Sequence, residues 1–343
     1  MSFSVQDIIE RTRKISPVDA RYLAVGIFTI LIMIIPLGAG AFPNTVMIEI
    51  GFYSIVTMGL IMFMGFAGQI SLGHAALFGC GAYISGILTT QHYLSPWLAL
   101  FLAACFTGGI AAAVGRVMFR MHGLILAGIT LALNLLFFYL VSGLSDLTGG
   151  AIGMTNIPPL SLGQYTSQNI LFNYYLLWVI AILLLIFSLN LADSRFGRAL
   201  RSINTYDGGS EEAAQVLGIN IMKYKVWVFI LSAVYASIAG SLYAHYTRII
   251  EPNTFMIQFS ALVVLMAIIG GRSSPWGAFL GAGLIVSIRQ LLREFAPMLI
   301  VGPTGSYELI AYGIIMVVVL LFLPQGLFPI IKKAILKRRP GFS

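Results

Sequence analysis

Residues 173–201 read NYYLLWVIAILLLIFSLNLADSRFGRALR. The first twenty of them carry no charge, and about 20 apolar residues is the length an α-helix needs to cross a bilayer. Three arginines, Arg195, Arg198 and Arg201, follow within a few positions. Tyr174 and Tyr175 stand at the other end, where aromatic rings favour the headgroup region. A crossing helix that ends on a basic cluster has its direction assigned as well, because loops on the cytoplasmic side are enriched in Lys and Arg.

Working outward, nine further stretches of this kind can be marked off. The ten predicted spans are 22–42, 46–66, 74–91, 97–117, 123–143, 173–192, 226–247, 257–271, 276–295 and 306–328. Threaded alternately from an inner N-terminus, they leave all but three of the 20 Lys and Arg residues on the inner side; the exceptions are Arg248, Arg289 and Arg293. Both termini are then expected to be cytoplasmic, the loop 144–172 extracytoplasmic and the loop 193–225 cytoplasmic. Residues 4–14 read as a short amphipathic helix on the inner surface, within a cytoplasmic segment 1–21. Ala39-Gly40-Ala41 resembles a signal-peptidase site, but the run from Tyr22 is of bilayer length, so an uncleaved first span is expected.

Composition agrees. The chain has 343 residues, is 59% hydrophobic and only 9% charged, against about 25% charged in soluble domains. Its mean hydropathy is +0.93. The expected fold is all-α and polytopic, one transmembrane domain over 1–343. A net charge of +8 does not point to nucleic acid, since the basic residues sit at the ends of apolar runs, where anionic membrane lipid attracts them. Cys80 and Cys105 fall inside spans and read as small buried hydrophobes. The four histidines have no metal-ligand spacing, and no cofactor is expected.

One stretch disfavours a regular helix. GFAGQISLGHAALFGCG, 65–81, holds Gly65, Gly68, Gly73, Gly79 and Gly81 together with Gln69, Ser71 and His74. Glycine at this density weakens a helix, and irregular backbone at membrane depth survives only under protein or along a cavity. A broken or re-entrant segment is expected. The alternative is a tight inner turn with glycines for close packing. Gln69, Ser71 and His74 are the candidate path groups, although each could instead be a satisfied hydrogen bonder within the bundle, His74 above all.

The chain lacks a phosphate-binding G-x-x-x-x-G-K-[ST] loop, a G-x-S-x-G elbow and an H-E-x-x-H pair. Of its acidic residues, Glu49, Glu294 and Glu308 come nearest to mid-membrane, and each lies toward an outer span end. A proton- or sodium-coupled carrier usually keeps ionisable groups in its spans, so the energy source is expected elsewhere. Within the inner loop, Ser210 can cap a two-turn helix that starts with Glu211 and Glu212 and ends near Gly218. Such a stub is too short to be stable alone. Its exposed Ala213-Ala214 face and its Val216-Leu217 pair call for a partner surface, the alternative being that the stub packs on the ends of its own neighbouring spans.

Glu212-Ala213-Ala214 followed by Gly218 resembles the EAA loop of ABC importer permeases. The fuller set, GFAGQISLGHAALFGCGAY at 65–83, LTGGAIGMTNIP at 147–158, GRALRSI at 197–203 and GGRSSPWGAFLGA at 270–282, is similar to the LivM-type branched-chain amino-acid permeases. Urea and short-chain amide permeases share nearly the same motifs. The resemblance implies a homologous second permease subunit, two cytoplasmic ATPases and an extracytoplasmic solute-binding protein. It implies ATPase coupling through Glu211, Glu212, Ala213, Ala214 and Gly218, and an outer-loop motif at Thr148, Gly149 and Gly150. The chain departs from the family in its Gly-rich insert NTYDGGS at 204–210, and in Ala151, where a polar residue is common.

The expectation is therefore a non-enzymatic permease subunit in the bacterial inner membrane. It would form half of the path for a small polar solute, branched-chain or other amino acids first, urea or amides second. A solitary secondary carrier is the rival from another class, but it would have no use for a basic, EAA-bearing inner loop. A membrane enzyme finds no candidate nucleophile, base or metal site.

Overall fold

The computed structural model describes residues 17–38, 40–121, 124–162, 165–166, 169–204, 209–299, 313–314 and 326–329. The chain runs through α1 (Pro17–Gly38), α2 (Ala41–Ala67), α3 (His74–Thr90), α4 (Pro96–Met118) and α5 (Leu124–Gly143). A four-residue α6 (Ser145–Thr148), a 3-10 turn (Gly150–Ile152) and a hairpin of β1 (Ser161–Leu162) and β2 (Tyr165–Thr166) follow. Then come α7 (Ile170–Asp193), α8 (Arg195–Ile203), α9 (Glu211–Val216), α10 (Ile221–Thr247), a 3-10 turn (Pro252–Phe255), α11 (Ile257–Gly270) and α12 (Gly277–Leu299). Among the described residues, five helices are long and apolar enough to cross a membrane: α2, α4, α5, α7 and α10. The protein is an all-α, multi-pass membrane protein. Predicted spans two to nine each fall on one helix, and the first, 22–42, covers most of α1 but runs on into the start of α2; the tenth, 306–328, and the N-terminal stretch 4–14 lie almost wholly outside the described residues.

Two helices form the centre. α10 packs on α3, α4 and α2, while α2 also packs on α12, α7 and α11. Lipid provides no hydrophobic drive between helices, so close approach through small residues does the work. A Cβ on Gly81 would strike the Ser237 carbonyl, and one on Gly240 would strike the carbonyl of Phe78. Hydroxyls fill the remaining seam: Thr107 donates to Ser237 (3.0 Å), and Ser241 donates to Ser85 (2.8 Å).

These contacts set the depth of the broken segment. α3 runs parallel to α10, with His74 beside Ser232 and Ser85 beside His245. α2 runs the other way and passes the level of Ser232 at Gly59. It continues to Ala67, eight residues or about 12 Å further. There Gly68 takes a left-handed φ of 65° and closes the helix through its N–H to the Met64 carbonyl, 3.1 Å. The chain then returns without helix through 68–73 and starts α3 at His74, back at the level of Ser232. The segment is re-entrant, as its glycines and polar residues lead one to expect.

The ends of the bundle differ in chemistry. At one end Arg21 pairs with Asp193, Arg201 reaches the Ala192 carbonyl and lies over the Phe66 ring, and the Asn204 amide donates to the Gly65 carbonyl at 2.7 Å. At the opposite end the segment after α5 is strapped to the segment after α10. Met154 and Ile250 exchange two backbone bonds of 2.9 Å, and the Ile157 N–H donates to the Arg248 carbonyl.

Candidate functional site

The expected two-turn stub forms as α9. Ser210 caps it, its side chain accepting from the Ala213 N–H at 3.3 Å, and Gly218 leaves it at φ +81°. Glu211 does not point away from the protein: it accepts from Lys225 Nζ at 2.6 Å, tying α9 to the second turn of α10. The expected Ala213-Ala214 face needs correction. Ala214 is 1% exposed, because α9 lies against α8 and α10 and turns that side inward. The exposed side carries Glu212, Ala213 and Gln215, with Val216 88% and Leu217 78% exposed. A cleft of about 760 Å³ opens beside it, lined by Phe119, Glu212, Gln215, Ile219 and Met222 among others.

α8 is an element the sequence reading passes over. Its signals are present: Ser194 caps it, accepting from the Gly197 N–H at 3.2 Å, and Leu200 and Ile203 are buried while Arg195 and Arg198 face outward. Three arginines in nine residues hide this apolar stripe. Through Ser202 and Asn204, whose carbonyls accept from the Ser210 and Gly209 N–H groups, α8 is the bed on which α9 lies.

The three path candidates part company. His74 is fully buried, with Nε2 2.6 Å from Ser232 Oγ and Nδ1 3.2 Å from Ser71 Oγ. Ser71 is fully buried too, and the backbone around it is held by Thr130, which accepts from the Leu72 N–H at 3.0 Å. Within this chain both side chains are fully buried and hydrogen-bonded. Gln69 alone of the three is partly exposed, and its amide donates to the Ala67 carbonyl at 3.3 Å.

The Thr148-Gly149-Gly150 motif shapes backbone. Thr148 donates to the carbonyls of Val141 and Leu144, at 2.6 and 2.8 Å, and so closes the end of α5. Gly149, Gly150 and Gly153 all have positive φ, and a Cβ on Gly153 would meet the Ile250 carbonyl. The motif lets the chain turn tightly enough to reach the strap at Ile250.

A further pair emerges that spacing could not bring together. Arg289 of α12 pairs with Glu49 of α2, and its Nη1 donates to the Tyr53 hydroxyl at 3.1 Å. In the sequence, Arg289 is only an exception to the charge rule and Glu49 only an acid near a span end.

A family model described as branched-chain amino acid transport system / permease component matches residues 42–320. The high-affinity branched-chain amino acid transport system permease protein LivM of Escherichia coli is 28% identical over 81% of this chain and 68% of its own length. A probable LivM of Methanocaldococcus jannaschii is 25% identical over 83% of this chain and 93% of its own. The nucleoside ABC transporter permease protein NupC of Lactococcus lactis is 27% identical over 76% and 86%. With the helices α2–α12, the re-entrant segment and the α8–α9 platform inside or overlapping the matched region, the chain belongs to the family of branched-chain amino acid transport system permease components.

Proposed function

We propose that this chain is one of two permease halves of an ABC importer for branched-chain or other amino acids. The solute arrives from an extracytoplasmic binding protein, and two cytoplasmic ATPases drive its passage. The family membership, with LivM relatives aligned over four fifths of the chain, is the observation that carries this reading. A LivH relative of Methanocaldococcus jannaschii, 26% identical over 72% of the chain, supports a homologous permease as the second half. α9 and its cleft supply the ATPase contact, through Glu212, Ala213, Val216 and Leu217. The basic end faces the cytoplasm of a bacterial cell, the inner membrane being the host.

The test is uptake by the complete importer reconstituted in liposomes. L-leucine should accumulate only with ATP inside and loaded binding protein outside. Uptake of urea or acetamide in its place would favour the amide reading. Uptake by this chain alone under a sodium or proton gradient would overturn the importer assignment.

A further inference from the structure

α7 and α10 both pack on α2, yet touch each other little. Deep in the bundle the Tyr235 hydroxyl donates to the Leu184 carbonyl at 3.0 Å and lies 2.8 Å from Ser188 Oγ. At the basic end the Tyr224 ring lies 5.2 Å from that of Phe196, the second residue of α8. Between these two ties the helices part. A groove of about 620 Å³ opens there, lined by Phe187, Leu191, Trp227, Ile230, Leu231 and Val234 among others. Phe187 is 50% and Trp227 55% exposed, so the groove opens outward, and both of its walls are helices long and apolar enough to cross a membrane. Lys223, the third residue of α10, lines its mouth and is exposed. Arg195, next to Phe196 in the chain, is exposed at the same end. None of the ion pairs among the described residues uses either cation, and the neighbouring Asp193 is already paired with Arg21.

We propose that this groove seats one acyl chain of an anionic glycerophospholipid, with Lys223 and Arg195 at its phosphate. Length argues for a lipid chain. Val234 stands eleven residues beyond Lys223 on α10, about 16 Å along the helix, and one leaflet's share of the hydrocarbon core is about 15 Å. The groove therefore runs from the headgroup level to the middle of the bilayer, the reach of a chain from one leaflet. Chemistry argues for the same occupant. The wall is apolar along the chain, Trp227 and Tyr224 lie where amphipathic rings favour the interface, and charge is confined to the mouth. Two cations there attract a phosphodiester and do nothing for a zwitterionic choline headgroup, whose own ammonium offsets its phosphate. The site requires only that α7 and α10 cross a bilayer.

The experiment uses the full chain in phosphatidylcholine vesicles, into which brominated phosphatidylglycerol or brominated phosphatidylcholine is titrated. Bromine quenches indole fluorescence on contact. Trp227 is one of four tryptophans, and the part of the signal missing from Trp227→Phe belongs to it. Brominated phosphatidylglycerol should quench that part at a membrane fraction at least about fivefold lower than brominated phosphatidylcholine, the worth of one basic residue at an anionic surface. Lys223→Gln with Arg195→Gln should abolish the preference and leave the thermal melt unchanged, since both residues are exposed. Leu231→Phe narrows the groove with both charges in place and should abolish it too. Equal quenching by the two lipids in the wild type would make the groove a plain bilayer contact and overturn the proposal. A preference that survives loss of both charges, or one that survives Leu231→Phe and so reports surface charge alone, overturns it as well. Quenching by neither lipid would mean that protein, such as a second copy of this chain, covers the groove, which is equally fatal to it.

Discussion

At the scale of single residues, burial separates groups that hold the fold from groups that could serve a solute or partner. His74 reads in the sequence as a candidate path residue or, more readily, as a satisfied hydrogen bonder inside an apolar run. In the structure both its ring nitrogens are taken, by Ser71 and Ser232, with no exposure at all. His74→Leu should therefore destabilise the protein by about 1–2 kcal/mol, the scale of interhelical hydrogen bonds in membranes. It should lower the unfolding temperature in detergent and leave the transport rate per folded molecule near wild type; a selective loss of transport at unchanged stability would restore His74 to the path. Gly81 is stricter. Its Cβ would meet the Ser237 backbone, which no rotamer change relieves. Gly81→Val should cost at least about 1–3 kcal/mol by forcing α3 off α10, read as a loss of monodisperse protein on gel filtration. Neither fact is legible from one sequence, because both depend on which residue of a distant helix stands opposite.

At the scale of elements, most spans are legible because a bilayer demands length and apolarity, and both are local properties of the chain. The expected 97–117 and the observed Pro96–Met118 agree closely at both ends, as do 257–271 and Ile257–Gly270. The re-entrant 68–73 is legible for the same kind of reason, since glycine and polar side chains cannot continue a lipid-facing helix. What escapes is amphipathicity at the membrane surface. α8 is hidden by its arginines, and the inward side of α9 is set by α8, so the Ala213-Ala214 face was unreadable without it. The correction changes what mutation should do. Ala214→Trp should now unfold the α8–α9 platform rather than act selectively on a partner. Val216→Asp with Leu217→Asp should leave the unfolding temperature unchanged and release the ATPases, since both side chains stand in solvent. Co-purification of the ATPases beside a thermal melt checks both expectations; full ATPase retention by the double aspartate variant would remove α9 from the coupling role. Gly73→Leu belongs here too, because its Cβ would lie 2.8 Å from the Thr130 carbonyl. It should impair folding of the re-entrant segment itself, as protease sensitivity near 68–73.

At the scale of the whole molecule, orientation follows from charge, and the fold gives that charge a common address. Arg21, Arg201 and Arg272 come from three distant parts of the chain, yet the contacts of Asp193, Phe66 and Gly65 gather them at one end of the bundle. The opposite end is built from the Met154–Ile250 strap, with the Trp97 indole donating to the Ser161 carbonyl at 2.9 Å and the Pro158 carbonyl 2.7 Å from His245 Nδ1. A membrane potential and anionic inner-leaflet lipid both favour the basic end inside. On the proposed importer reading, the strap end, with its tight turns and the exposed Ile152, is the surface that a binding protein would meet. The expectation is tested by single cysteines on a background lacking Cys80 and Cys105. A cysteine at Ser161, which is exposed, should react with an impermeant maleimide in intact spheroplasts. One at Arg198, exposed on α8, should react only after the membrane is opened. The reversed pattern would place α9 outside the cell, where no ATP is available, and would remove the ATPase contact and the importer reading together. Reaction at both sites in intact spheroplasts would instead mean that the bundle inserts in two orientations.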